Sequence, residues 1–272
     1  MRTENFMPQR RSLLGALLAI PLLTILPVHA KAELLTIASA INKAGRQRML
    51  SQRIAKAYAQ LVLGVYPDRA KLILHNSVIL FETQLAELTA FAPTPEIRTL
   101  YVQLAALWMP YRNVAVAPVS MDGLKKIAAL NEDVLKTAHV ATVALTKYSG
   151  TAVGHLVNIS GRERMLSQRC AKFYFFRSAG LQDASIEHGL NDARKEFEVA
   201  LAELRAAPQN TPDIATQLLL ANSQWGFFAS ALTSYSLGVQ TSISMQYVAG
   251  SSENVLEAMD VATEMYQSIY KV

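Results

Sequence analysis

Residues 45–58 read GRQRMLSQRIAKAY and residues 161–174 read GRERMLSQRCAKFY, so eleven of fourteen positions are identical at a spacing of 116. The repeat continues outward. Phe81, Glu82, Leu85, Ala86, Glu87 and Leu88 return at the same offset as Phe197, Glu198, Leu201, Ala202, Glu203 and Leu204. Farther on the offset drifts, pairing Pro95 and Trp108 with Pro212 and Trp225, and Val134, Leu135, Val140, Ala141 and Thr142 with Val255, Leu256, Val261, Ala262 and Thr263. Small loop insertions account for the drift, because surface connections tolerate them. A whole module is duplicated, and a module of roughly 115 residues is long enough for a core of its own.

Within the motif, Leu50, Ile54, Ala57 and Leu61 fall at i, i+4, i+7 and i+11, and Phe81, Leu85 and Leu88 keep the same helical rhythm. Sustained alternation of β-branched residues is absent, and Pro67, Pro93, Pro95, Pro118, Pro208 and Pro212 punctuate the pattern. The expected fold is all-α, two tandem four-helix up-down bundles, with modules at 33–149 and 150–272. Helices are expected near 33–65, 69–91, 96–116 and 121–149, Pro110 kinking or interrupting the third. The second set is expected near 151–180, 183–206, 213–247 and 252–271. No proline lies between Pro118 and Pro208. The fourth and fifth helices could therefore run on as one, stacking the bundles as a rod, or break at Gly150 to Gly154 and hinge.

Arg10 and Arg11, an apolar run from Leu13 to Leu26, then Ala30 and Ala32 have the layout of a cleavable signal peptide over residues 1–32. Whether the general or the twin-arginine route is used stays open. Three of the five net positive charges lie in that segment, from Arg2, Arg10, Arg11 and Lys31 against Glu4. An exported and nearly neutral mature protein is not expected to bind nucleic acid. Cys170 is the sole cysteine, so no internal disulfide and no CxxCH haem site exist. It stands where the first copy has Ile54, which marks a buried thiol acting as a small hydrophobe. His29, His75, His139, His155 and His188 form no Glu-x-x-His or His-x-x-x-His pair, and no GxSxG occurs. Neither an enzyme nor a bound cofactor or metal is expected.

The motif is rich in arginine: Arg46, Arg48 and Arg53 in one copy, Arg162, Arg164 and Arg169 in the other. At 100° per residue Arg46 and Arg53 share a face two turns apart, and Arg48 points away from them. A guanidinium beside Met49, Leu50 and Ile54 on a core-facing helix needs compensation. A planar oxyanion could supply it through bidentate hydrogen bonds, with Ser51, Gln52, Ser167 and Gln168 as neutral donors. From spacing alone the favoured alternative is that Arg53 and Arg169 pair with Glu82 or Glu87 and Glu198 or Glu203. Gly45 and Gly161 each cost about 1 kcal/mol in a helix interior. Either a helix or ligand approaches closely there, or the helix merely starts or bends nearby. Glu163 in place of Gln47 adds a negative charge to the second copy, so the first is expected to bind if only one does.

The stretch INKAGRQRMLSQR, Ile41 to Arg53, resembles the first-helix motif of the N-terminal domain of type IV pili methyl-accepting chemotaxis transducers, the PilJ-type domain. It is similar, too, to the periplasmic sensor domain of nitrate and nitrite sensor kinases. There the equivalent stretch, the P-box, contributes to nitrate binding at a homodimer interface, arginines from two first helices meeting over the anion. Counted from the motif glycine, the resemblance assigns that role to Arg53 and Arg169, with Arg48 and Arg164 as the motif's other arginine. It implies a periplasmic sensory or binding protein for nitrate or nitrite that serves a membrane receptor, sensor kinase or transporter. Family members usually carry transmembrane helices and a signalling part, which this sequence lacks. Two assemblies are open: a homodimer in which each motif faces its own copy, favoured by the rod, or one chain whose motifs face each other. The rival function is a helical interaction scaffold in which the motif serves packing and dimerisation. Arginines that converge with no acid nearby would favour the anion; a glutamate on each would make the scaffold sufficient.

Overall fold

The computed structural model describes residues 35–181, 183–236 and 241–270, and among these all regular secondary structure is helical. The expected signal segment 1–32 lies outside the described residues. The first repeat forms α1 (Ile37–Leu63), α2 (Pro67–Phe91), α3 (Pro95–Val116) and α4 (Met121–Ser149). The second forms α5 (Ala152–Ser178), α6 (Ala184–Ala206), α7 (Pro212–Ser236) and α8 (Ser242–Tyr270).

Starts and stops follow local chemistry. Thr36, Thr94, Ser120 and Thr151 accept from the backbone N–H three residues on, at 3.2, 3.3, 3.0 and 3.0 Å, satisfying donors that the first helical turn leaves free. Pro67 and Pro95 open their helices at positions where a missing N–H costs nothing. α3 runs through Pro110 without interruption. α8 departs from expectation, starting at Ser242 where the sequence reading placed its start near 252. Thr241 Oγ1 accepts from Ser244 N at 3.1 Å, and Gly250, Ser251 and Ser252 lie inside the helix.

In each repeat the first helix packs on the second and fourth, and the third packs on both, closing a ring. Phe81 stacks on Trp108 at 3.9 Å between centroids and Phe197 on Trp225 at 3.8 Å, tying the second helix to the third in both copies. The rings are not stacked end to end. Gly150 caps α4 in the left-handed region (φ 63°), Thr151 caps α5, and the chain turns back so that α1 and α5 form the most extensive helix pair. Of the two arrangements that the sequence leaves open, the chain takes the fold-back. A left-handed residue after Ser149 ends the helix, and burying α1 against α5 covers surface that a rod would expose.

This placement explains the composition of the two central helices. α1 is flanked by α2, α4 and α5, so most of its circumference is buried, and α5 is enclosed the same way. Gln47, Arg48, Ser51, Gln52 and Lys56 are buried on α1, and Glu163, Arg164, Ser167, Gln168 and Lys172 on α5. Polar groups in such positions must find partners inside the protein.

Candidate functional site

The α1–α5 seam is organised around two glycines that face each other in mid-helix. A Cβ on Gly45 would stand 3.6 Å from the Gly161 Cα, and one on Gly161 would stand 3.8 Å from the Gly45 Cα. Close approach, one of the two readings open from sequence, is what these glycines provide. Three residues on, nearly one turn, Arg48 and Arg164 enter the same crossing. The Gly45 Cβ position lies 3.4 Å from Nη2 of both arginines, and that of Gly161 lies 3.1 Å from Arg164 Nη2 and 3.7 Å from Arg48 Nη2. The missing side chains leave room for two guanidiniums, both fully buried.

Each arginine reaches across the seam. Arg48 Nη2 donates to the Asn158 carbonyl at 3.1 Å, and Arg164 Nη2 donates to the Asn42 carbonyl at 3.2 Å and to Asn42 Oδ1 at 2.8 Å. The halves part at Nη1. Arg164 Nη1 donates to the Asp260 carboxylate, whereas Arg48 Nη1 meets His139 Nδ1 at 3.3 Å. Burial, then Arg48 and Arg162, hold His139 at about 4, so at neutral pH its Nδ1 is an uncharged acceptor. Among the described residues, Arg48 thus has two neutral acceptors and no carboxylate, and its Nε has no partner. Burial, then the charges of Arg162 and Arg164, pull its guanidinium down to about 9. For Arg164, burial pulls down and Asp260 pulls back, leaving it at about 10.

Arg46 and Arg53 do share a face, and that face meets α8. Arg46 Nη2 pairs with Asp260 at 2.9 Å and with Glu264 at 3.6 Å. Arg53 is held by both oxygens of Glu253, which also takes the buried Lys56 ammonium. Burial raises the Glu253 carboxyl, but Lys56 and Arg53 together outweigh it and hold it at about 2. The second copy reciprocates: Arg169 pairs with Glu132 on α4 at 2.9 Å, and the buried Lys172 donates to it at 2.6 Å. Arg169 also lies 4.8 Å from the Phe173 ring centroid. The resemblance gave the anion role to Arg53 and Arg169, and here each of them carries a glutamate. The alternative partners expected on the second and sixth helices are corrected. Glu82 pairs with Arg112 and Glu87 with Lys43, while the fourth helix of the opposite repeat supplies the acids. The arginines that meet across the seam are Arg48 and Arg164.

The other expected donors serve the fold. Ser51 and Ser167 donate to the carbonyls of Arg48 and Arg164 at 2.7 and 2.9 Å. Gln52 donates to Asn131 Oδ1 at 3.0 Å, and Gln168 to the Ser252 carbonyl at 2.9 Å. Arg162 turns to Glu196 at 2.9 Å and is half-buried. Gln47 donates to the Phe81 carbonyl at 3.3 Å, but Glu163, fully buried in the matching place, has neither carboxyl oxygen partnered. Burial raises the Glu163 carboxyl well above the usual carboxylate range, which opposes the negative charge expected beside the second motif. Cys170 is fully buried and its thiol pushed up by burial, as expected of an inert side chain.

Sequence reasoning missed His139, Asp260, Glu132 and Glu253. The signal was present: His139 and Asp260 share one offset of 121 with Glu132 and Glu253, the same offset that relates Val134 to Val255. A cleft of about 290 Å³ opens beside His139, lined in part by Arg162, Met165, Leu166 and Arg169. Among the described residues no group of three or more His, Cys, Asp or Glu could hold a metal, and no helix is long and apolar enough to cross a membrane.

Of the two assemblies open from sequence, the meeting of both motifs within one chain is what α1 against α5 provides. No curated protein and no solved structure matches the sequence. The family model of the type IV pili methyl-accepting chemotaxis transducer N-terminal domain matches residues 32–138, the first repeat through most of α4. Residues 32–138 are thus similar to the N-terminal domain of type IV pili methyl-accepting chemotaxis transducers, over less than half of the chain.

Proposed function

We propose that the chain is a periplasmic sensory or accessory protein that binds a small planar oxyanion of the nitrate or nitrite class where α1 crosses α5. The observation that supports this reading is Arg48, a fully buried guanidinium facing a second one with no carboxylate of its own. A buried cation of this kind is costly unless an anion compensates it. A planar oxyanion matches the guanidinium fork, and a site dry enough to bury Arg48 strengthens the attraction. The functional pair is Arg48 and Arg164, flanked by Gly45 and Gly161, with Arg46 and Arg162 at the margins. A bound state would be passed on to a membrane receptor, kinase or transporter, since no described helix is long and apolar enough to cross a membrane.

A second reading has its own support. Glu253 and Glu132 neutralise Arg53 and Arg169, so these two belong to an internal scaffold that holds the repeats together. Thermal unfolding against nitrate, nitrite, formate, sulfate and chloride separates the two. At about 100 times the dissociation constant the stabilisation is about 2.7 kcal/mol, a shift of roughly 5–10 °C for a chain of this size. A shift with the planar anions that Arg48→Gln abolishes and Arg53→Gln retains supports the receptor. No shift with any anion leaves the scaffold alone.

A further inference from the structure

His139 and Asp260 stand at the same place on the fourth helix of the two repeats, and each contacts the Nη1 of its own repeat's seam arginine. The duplication therefore contains its own control. Where α8 presents Asp260 and, one turn on, Glu264, α4 presents His139 and Val143 at the matching positions. Asp260 takes both Arg164 and Arg46. On the α4 side Arg162 is drawn off to Glu196, and Arg48 keeps a neutral imidazole.

We infer that this pair of positions sets the binding capacity of the seam: Asp260 is a resident carboxylate that fills the Arg164 half, and His139 leaves the Arg48 half open to an external anion. The inference rests on the oxyanion reading above. A carboxylate and nitrate present the same planar pair of acceptor oxygens to a guanidinium, so Asp260 does for Arg164 what a bound anion would do for Arg48. His139 is also placed to admit the ligand. Its side chain touches Arg48 on one side and lines the 290 Å³ cleft on the other, so an anion entering there meets the imidazole before the guanidinium. The cleft wall carries Lys136, Arg162 and Arg169 with Glu132, Asp192 and Glu196, charges that offset one another, so selection falls to the buried arginine. One anion per chain is the expected capacity, although the seam contains two motif copies.

Exchanging the two residues tests this. Calorimetric titration of the full chain with sodium nitrate, at constant ionic strength set by chloride, is run on the wild type, Arg48→Gln, His139→Asp, His139→Asn and Asp260→Asn. Expected are one nitrate per wild-type chain, loss in Arg48→Gln, at least tenfold weaker binding in His139→Asp, retention in His139→Asn, and a second nitrate in Asp260→Asn. Wild-type binding that needs Arg48 but is unchanged in His139→Asp, with no second nitrate in Asp260→Asn, overturns the inference and leaves the oxyanion reading standing. No nitrate heat in any of the five proteins overturns both. Asp260→Asn is nearly isosteric and His139→Asn adds no charge, so they keep the test open should His139→Asp fail to fold.

Discussion

Arg48 and Arg164 occupy the same position in two copies of one module, cross the same pair of glycines and are equally buried, yet only Arg164 has a carboxylate. The backbone geometry of the repeats is matched, while the charges around it are not. Elsewhere the copies stay reciprocal: Glu253 holds Arg53 and Lys56 just as Glu132 holds Arg169 and Lys172. Symmetry has been kept where the repeats are fastened together and lost where an outside ligand would be met. A scaffold would need the first feature only.

The fastening itself gives the largest expected effect. Glu253→Ala strands the fully buried Lys56 beside Arg53 and is expected to cost about 3–5 kcal/mol in urea unfolding. Glu132→Ala is expected to cost less, because the Glu132 side chain is 47 % exposed against 11 % for Glu253 and is screened by water. Equal losses would break the distinction. The Glu253 carboxyl is held at about 2, below its ordinary 4.5, so its contribution is complete above about pH 4.5 and disappears as pH falls toward 2. Glu253→Gln should flatten that acid limb.

The two seam arginines come next. In anion-free buffer Arg48→Met removes an uncompensated buried charge and is expected to raise stability by about 1–3 kcal/mol. Arg164→Met instead strands Asp260 and is expected to lower it, though part of the loss is offset by Arg46 and by solvent. Two variants that move the same way would mean that the electrostatic difference between the halves is illusory.

Glu163→Gln restores in the second copy what Gln47 is in the first, and urea unfolding at pH 7 is expected to show a gain of about 1–3 kcal/mol. Burial raises the Glu163 carboxyl in the folded state, so the folded chain binds a proton that the unfolded chain releases above about pH 4.5. The wild type therefore loses stability as pH rises through that range, and the gap between wild type and Glu163→Gln should narrow below it. A gap independent of pH would show that Glu163 is ionised in the fold.

The smallest effect is expected at the glycines. Alanine in mid-helix gains about 1 kcal/mol over glycine, while a Cβ at 3.4 Å from two flexible guanidinium ends pushes them by a few tenths of an ångström. Gly45→Ala should thus lie near zero in thermal unfolding, and Gly161→Ala, whose Cβ would sit at 3.1 Å, slightly below it. A large loss at either would show that the crossing has no slack.

Much of this was readable beforehand. Prolines and capping hydroxyls bound the helices, and the repeat itself called for two similar rings. The late start expected for α8 is overturned because tertiary packing overrides the poor helix propensity of Gly250, Ser251 and Ser252, and Thr241 supplies the cap. At the site, helical geometry correctly grouped Arg46 with Arg53 and set Arg48 apart. What it could not supply was the identity of the neighbouring helices. Arg53 finds its acid 200 positions away on α8, a partner no periodicity within one module reveals. The solitary arginine, three residues after a glycine in both copies, was the clue: a residue without a side chain beside a long cationic one marks a place where two backbones close over a charge.

One turn carries a further consequence. Only Gly150 and Thr151 separate α4 from α5, so the two motif helices share a short covalent tether. Two separate subunits would meet at a rate set by their concentration and would drift apart on dilution. Here each half sees the other at an effective concentration on the order of millimolar whatever the copy number. The crossing remains assembled in a single molecule, and its response to a ligand should not depend on protein abundance.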